Sequence, residues 1–112
     1  MPAVIERIDY VSDRTLKGDP AGWRDPELRP SEVLRRNFWF CAIDDPVGIS
    51  LRDCIGVDNI LLECDYPHAD SSWPDTQYVM DRMLTGVPGD EAEMMAYSNA
   101  AQLFRHDVRV AA

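Results

Sequence analysis

Two short apolar runs, each ending in acidic residues, constrain the fold of this chain more than any other feature. They cover residues 38–43, FWFCAI, and residues 59–65, NILLECD. Neither run alternates apolar with polar side chains through its centre, which is typical of strands buried on both faces of a parallel sheet. A helical pattern over residues 46–55 lies between them, as the crossover between two parallel strands requires. The sequence therefore predicts an α/β fold containing two βα units.

Apolar patterns and capping residues predict further helices on both sides of these strands. They cover residues 3–17, 31–37, 76–84 and 90–105, the last with room for a restart at residues 98–99. The residues expected to cap helices are Ser31, either Asp44 or Asp45, and Asp90. The residues expected to end helices are Gly18 and Gly56. Three prolines and a glycine predict a loop over residues 19–30.

Two strands are too few for an independent parallel sheet. Such a pair is not stable alone, and parallel sheets have both faces covered. Its outer edges would also present unpaired backbone groups. At 112 residues the chain amounts to one domain at most. We therefore expect residues 1–112 to be one incomplete segment of a larger α/β domain. The rest would come from sequence outside this chain, from another chain or from self-association.

The charge balance argues against two classes of partner. Eleven Lys and Arg face 20 Asp and Glu, for a net charge of −9. Nucleic acids and anionic membranes both require clustered basic residues, so neither is an expected partner. No apolar run reaches the length of a transmembrane helix, and the charged N-terminus does not resemble a signal peptide. These features predict a cytoplasmic protein.

The three cysteines do not form a recognisable metal or redox motif. Cys41, Cys54 and Cys64 include no C-x-x-C pair, which argues against a zinc ribbon or a thioredoxin-like site. An odd number without a secretory signal indicates reduced thiols. We expect them to be small buried apolar side chains.

Acidic residues at the carboxyl ends of the two strands are the candidates for chemistry. Working residues gather there in parallel α/β folds. For Asp44 and Asp45 the favoured interpretation is helix capping before Pro46. Asp65 has two interpretations: a turn before Pro67, or a metal ligand or general base with His68 close by. His106 is expected to be a solvated surface residue.

The segment from Arg36 to Asp75 resembles the amidohydrolase-related family of metal-dependent hydrolases. The branch in question includes aminocarboxymuconate-semialdehyde decarboxylase. The most specific part is the string NILLECDYPHADSSWPD, which is similar to the family's eighth strand and the loop after it. The closing segment SNAAQLFR resembles its final helix, and residues 1–17 resemble the helix before this region. The resemblance therefore covers nearly the whole chain.

This resemblance implies a (β/α)8 barrel, of which the chain would form the last two βα units. The family's catalytic, metal-binding aspartate corresponds to Asp65. It would ligate a divalent metal, with zinc expected, or accept a proton from metal-bound water. The motif's histidine corresponds to His68, which would contact substrate or hold the metal-ligating residues in place without touching the metal.

The sequence lacks the H-x-H pair that the family places on its first strand. A complete metal site therefore requires residues outside this chain, supplied by a complementing N-terminal half or by a homo-oligomer. The first hypothesis is the C-terminal part of an amidohydrolase or decarboxylase acting on a small organic substrate. The alternative is a non-catalytic barrel fragment or interaction module.

Overall fold

The computed structural model describes residues 1–15 and 27–106, which fall into two compact units, Met1–Phe38 and Trp39–Ala112. The first unit contains helix α1, Pro2–Thr15, and helix α2, Pro30–Asn37. Both predicted helices are confirmed. Gly18 and most of the predicted loop lie outside the described residues.

The start of helix α2 is held by an aspartate of α1 as well as by Glu32, whose Oε2 accepts a hydrogen bond from the backbone N–H of Arg29 at 2.6 Å. Asp9 accepts hydrogen bonds from the backbone N–H of Ser31 at 2.9 Å and from its hydroxyl at 2.7 Å. The prediction that Ser31 caps α2 is wrong. Pro30 occupies the first helical position, which suits its constrained φ, and this places the N-cap at Arg29. Ser31 lies one residue inside the helix, where it is buried.

The second unit contains two strands and a series of short helices. The strands are β1, Phe40–Ala42, and β2, Ile60–Leu62. The elements between them are α3, Pro46–Ser50, α4, Arg52–Ile55, and a 3₁₀ turn, Val57–Asn59. After β2 come α5, Thr76–Met83, α6, Gly89–Glu93, a π-helical turn, Met94–Ser98, and α7, Asn99–Phe104. The order of strands and helices agrees with the sequence prediction.

The two strands pair in parallel, with Cys41 opposite Leu61 in the register. Alternate residues of both strands face the hydrophobic core of this unit, whose buried members are Ala42, Ile49, Ile55, Ile60, Met83 and Met95. The prediction that both faces are buried is wrong for β1, because Cys41 lies on the opposite face and is exposed. The parallel pair with helices around it is an α/β arrangement. No third strand joins it among residues 1–15 and 27–106.

The helix between the strands begins where the acidic residues predict. Asp45 is the N-cap of α3 and accepts a hydrogen bond from the backbone N–H of Gly48 at 2.8 Å. Pro46 occupies the first helical position, as expected. The predicted single helix is divided at Leu51 into α3 and α4. Gly56, with φ 110°, ends it as predicted.

The C-terminal helical region is interrupted by the π-helical turn, and α7 restarts at Asn99. The prediction that Asp90 caps this region is wrong: the N-cap is Pro88, and Asp90 lies in the first turn of α6. A carboxylate in the first turn still suits the positive end of the helix dipole. Met95, in the π-helical turn, is fully buried.

The expectation that the cysteines are buried is also wrong. Cys41 and Cys54 are exposed, and Cys64 is half-buried. All three are free thiols. No helix among the described residues has the length and apolar character needed to cross a membrane.

Candidate functional site

Asp65 lies immediately beyond the carboxyl end of β2, where the chain turns sharply. Its φ of 60° is in the left-handed region, which aspartate tolerates better than most residues because its short side chain can bond locally. The backbone oxygen of Asp65 accepts a hydrogen bond from the N–H of His68 at 2.8 Å. This turn brings the two side chains together, so the turn and site interpretations of Asp65 are compatible.

Three side chains converge on this turn. The Nδ1 atom of His68 lies 3.2 Å from Oδ2 of Asp65 and 2.7 Å from Oδ1 of Asp70. One ligand atom from each residue lies within 4.8 Å of the others, an arrangement compatible with a metal ion. We call Asp65, His68 and Asp70 the Asp-His-Asp cluster. Among residues 1–15 and 27–106, no other group of three or more potential metal-ligating side chains lies this close together.

The donor set and exposure of the cluster suit a hydrated divalent cation. The side chain of Asp65 is 36% exposed, whereas those of His68 and Asp70 are 73% and 76% exposed. One imidazole nitrogen and two carboxylates match the ligand preferences of zinc and similar metals. Three protein ligands leave coordination positions for water, substrate or further ligands. The residues present therefore fit a divalent metal.

Hydrogen bonds among Cys64, Ser72 and Thr76 close the loop of residues 65–75 that carries the cluster. The backbone N–H of Ser72 donates to the oxygen of Cys64 at 3.1 Å. The Sγ atom of Cys64 lies 3.2 Å from Oγ1 of Thr76, the first residue of α5. The hydroxyl of Ser72 donates to the same Thr76 oxygen at 3.2 Å. Cys64, just before the 65–75 loop, and Ser72, near its end, therefore both contact the hydroxyl of Thr76.

This environment also changes the acidity of the Cys64 thiol. The hydrogen bond from Thr76 lowers the pKa of Cys64, against a smaller opposing effect of desolvation. Further hydrogen bonds from Ser71, Ser72 and the backbone of Tyr66 lower the pKa as well. The thiolate is thus favoured by hydroxyl donors rather than by a nearby cation.

An aromatic pair spans the same loop. The rings of Tyr66 and Trp73 meet edge to face, with their centroids 5.6 Å apart. These two residues are 67% and 61% exposed, so the pair lies at the surface. Both precede cis prolines. The contact joins the residue after Asp65 to the residue after Ser72 and reinforces the closed form of the loop.

The carboxylates after β1 have other partners. Asp44 forms an ion pair with Arg82 of α5, and Asp45 caps α3. The structure thus confirms the capping interpretation for Asp45. Desolvation raises the pKa of the Cys41 thiol to about 11, and the hydrogen bond and negative charge of Glu63 act in the same direction. His106 is exposed, as predicted.

Sequence reasoning missed Asp70 and Thr76. The sequence pattern did not single out Asp70, yet this residue lies closer to Nδ1 of His68 than Asp65 does. The spacing D-x-x-H-x-D across a tight turn is the signal that could have identified it. Thr76 gave only a weak signal, the hydroxyl-rich string SSWPDT, because the sequence does not show which hydroxyls face Cys64.

Comparison with known proteins gives one family. A model described as "Amidohydrolase" matches residues 14–106, which is most of the chain. No curated protein matches the chain. The matched segment includes both strands, the Asp-His-Asp cluster and α7.

Proposed function

The chain belongs to the amidohydrolase family, and we propose that it contributes Asp65 to a divalent metal centre. Membership supports a metal-dependent hydrolase function at the level of the family. The observation that carries the proposal for this chain is the convergence of Asp65 and Asp70 on Nδ1 of His68. These donors follow the end of a parallel strand, where active sites of parallel α/β folds are built.

We propose that the chain corresponds to the last two βα units of a (β/α)8 barrel. Two features support this proposal. The strands are parallel with helices α3 and α4 between them, and β2 is followed by a loop and helix α5. The exposed face of β1 at Cys41 suits the interior of a barrel that other strands would complete.

Asp65 is the proposed metal ligand, or the group that takes a proton from the reacting water. His68 is proposed to contact substrate or to orient the aspartate, and Asp70 is added here as a partner of His68. A bound divalent metal, for which zinc suits the nitrogen and oxygen donors, would supply Lewis acidity and lower the pKa of a bound water. The substrate is proposed to be a small organic molecule that is hydrolysed or decarboxylated.

The site requires completion by other residues. The sequence contains only two histidines, and they do not form an H-x-H pair. Among the described residues, β1 and β2 pair only with each other, so each has an edge available to a further strand. We propose that an N-terminal half or a second copy of the chain supplies the missing strands and ligands. A non-catalytic interaction module is the second candidate, supported by the same missing histidines.

The first test measures zinc binding by the full chain with isothermal titration calorimetry. We expect Asp65→Asn to abolish or strongly weaken binding and Asp58→Asn, an exposed aspartate outside the cluster, to leave it unchanged. Equal zinc affinity in the wild type and Asp65→Asn would contradict the proposed role of Asp65. Absence of zinc binding in the wild type, both alone and when mixed with an N-terminal half, would favour the non-catalytic candidate.

The second test concerns completion of the site. Size-exclusion chromatography with light scattering, combined with metal analysis of the same peak, would measure mass and metal content together. A metal-loaded oligomer would support completion between copies. A metal-loaded monomer would contradict the need for added strands or ligands. A metal-free chain that gains metal when mixed with an N-terminal half would support the complementing partner.

A further inference from the structure

The base of the 65–75 loop contains a side-chain network with no role in the proposed chemistry. Cys64 and Thr76 are 12 positions apart in the chain, yet their side chains meet at 3.2 Å. Ser72 adds its hydroxyl to Thr76 and its backbone N–H to the oxygen of Cys64. The three residues are half-buried, so polar atoms that lose these partners are only partly compensated by water.

Thr76 is the shared member of this network. It accepts a hydrogen bond from Ser72 and faces Cys64 with the same oxygen. It also begins α5, whose N-cap residue Asp75 makes no capping hydrogen bond with its side chain. The hydroxyl of Thr76 therefore joins the start of α5 to Cys64, two residues after β2, and to Ser72 in the loop.

The three members of the Asp-His-Asp cluster all lie in the segment that this network closes. Asp65 follows Cys64 directly, and Asp70 precedes the Ser71–Ser72 return. The side chains of His68 and Asp70 are largely exposed and gain little from packing, while that of Asp65 is partly exposed. Their separation consequently depends on the backbone of the loop, which is held at its base.

We propose that Thr76 is a positioning residue, whose hydroxyl keeps the 65–75 loop in the form that assembles the Asp-His-Asp cluster. The metal part of this inference rests on the proposed function. The loop part does not, because it rests on the contacts among Cys64, Ser72 and Thr76 alone. Removing groups that orient metal ligands through hydrogen bonds commonly lowers metal affinity by about 10–100-fold.

The test compares Thr76→Val, which removes the hydroxyl at nearly constant shape, with Thr76→Ser, which restores it. Thr85→Val is the matched control, since Thr85 follows the same helix and its hydroxyl donates to the backbone oxygen of Asp81, outside the loop. Two quantities are measured on the full chain: backbone order parameters of residues 66–74 by NMR without metal, and zinc affinity by calorimetry.

For Thr76→Val we expect order parameters in the loop to fall from about 0.85 toward 0.6. We expect its zinc affinity to fall about tenfold or more. Thr76→Ser should recover both values, and Thr85→Val should resemble the wild type. Wild-type order and affinity in Thr76→Val would overturn the inference. Failure of Thr76→Ser to recover them, or an equal loss in Thr85→Val, would do the same.

The two proposals fail separately. If the wild type binds zinc through Asp65 and Thr76→Val changes nothing, the positioning role is wrong and the metal centre stands. If the wild type binds no zinc but Thr76→Val loosens the loop and Thr76→Ser restores it, the positioning of the loop stands and the metal centre is wrong.

Discussion

The side-chain Nδ2 of Asn99 donates a hydrogen bond to the backbone oxygen of Ile60 at 2.9 Å. The same nitrogen donates to the oxygen of Val57 at 2.8 Å. Asn99 begins α7, immediately after the π-helical turn, and it is buried. One amide thereby ties the C-terminal helix to the start of the strand that leads to Asp65.

Replacing Asn99 with Ala removes both hydrogen bonds and leaves two acceptors near the core without this donor. We expect the free energy of unfolding to fall by about 2–4 kcal/mol, since each lost buried hydrogen bond costs about 1–3 kcal/mol. Urea denaturation followed by circular dichroism measures this loss. Gln102→Ala, at an exposed position of α7, is the control and should change stability by less than about 0.5 kcal/mol. Similar losses in the two variants would contradict a specific role for Asn99.

Gly48 is predicted to be intolerant of a side chain because of the Asp45 cap. A Cβ atom at Gly48 would lie 2.2 Å from Oδ2 of Asp45. We expect Gly48→Ala to displace the carboxylate and cost about 1–2 kcal/mol, the usual value of a lost cap. Thermal denaturation checks this, with Gly89→Ala as the control, because a Cβ there has open space around it.

A double variant separates the cap from the helix propensity of alanine. Once Asp45→Ala has removed the carboxylate, adding Gly48→Ala should cost nothing further, so the two effects should not add. Additive losses would show that the clash with Asp45 is not the cause.

Stability of the first unit is predicted to depend on the ionisation of Asp9. Burial raises the pKa of Asp9, but hydrogen bonds from Ser31 and the charge of Arg29 outweigh it and the pKa is lowered overall. The resulting stabilisation is present above the unfolded pKa of about 3.9 and is lost as the pH falls through the lower folded value. Urea denaturation between pH 2 and pH 6 should show this loss.

Asp9→Asn should remove this pH dependence and cost about 1–3 kcal/mol at pH 7, because a charged acceptor of three hydrogen bonds, two from Ser31 and one from Arg29, is lost. Glu6→Gln, at an exposed position of α1, is the control and should retain the wild-type pH profile. An unchanged profile in Asp9→Asn would assign the dependence to another group.

Cys41, in β1, and Cys64, two residues after β2, are predicted to differ in reactivity in the order opposite to their exposure. Cys41 is exposed, but with its pKa raised to about 11 only about one molecule in a thousand carries the thiolate at pH 8. The pKa of half-buried Cys64 is lowered. We expect iodoacetamide to modify Cys64 before Cys41, as measured by peptide mass spectrometry. Glu63→Gln should accelerate the modification of Cys41, because it removes a neighbouring negative charge that raises the pKa of this thiol. Unchanged labelling of Cys41 would contradict this effect of Glu63.

The order of elements could be predicted from the sequence because it depends on local patterns. Apolar patterns located α1 and α5, the Pro30–Ser31 signal located α2, and the Asp45–Pro46 and Gly56 signals bounded the helical segment between the strands. The incorrect caps have a common cause. Proline takes the first helical position of α2, and the N-cap of α6 is itself proline, so Ser31 and Asp90 lie inside their helices.

Burial on the two faces of β1 could not be predicted in the same way. An apolar run records which residues tolerate burial, whereas exposure depends on which elements pack against each face. The helices of the second unit pack against the face that carries Ala42, and Cys41 on the opposite face is exposed.

By itself the sequence determined the α/β order, the family and the position of Asp65 and His68 after an apolar strand, because these depend on residue type and spacing. Only the tertiary structure decided that Asp70 joins them and that Thr76 closes their loop. Those contacts depend on where a tight turn and a helix start place side chains up to 12 positions apart, and spacing alone does not specify that geometry.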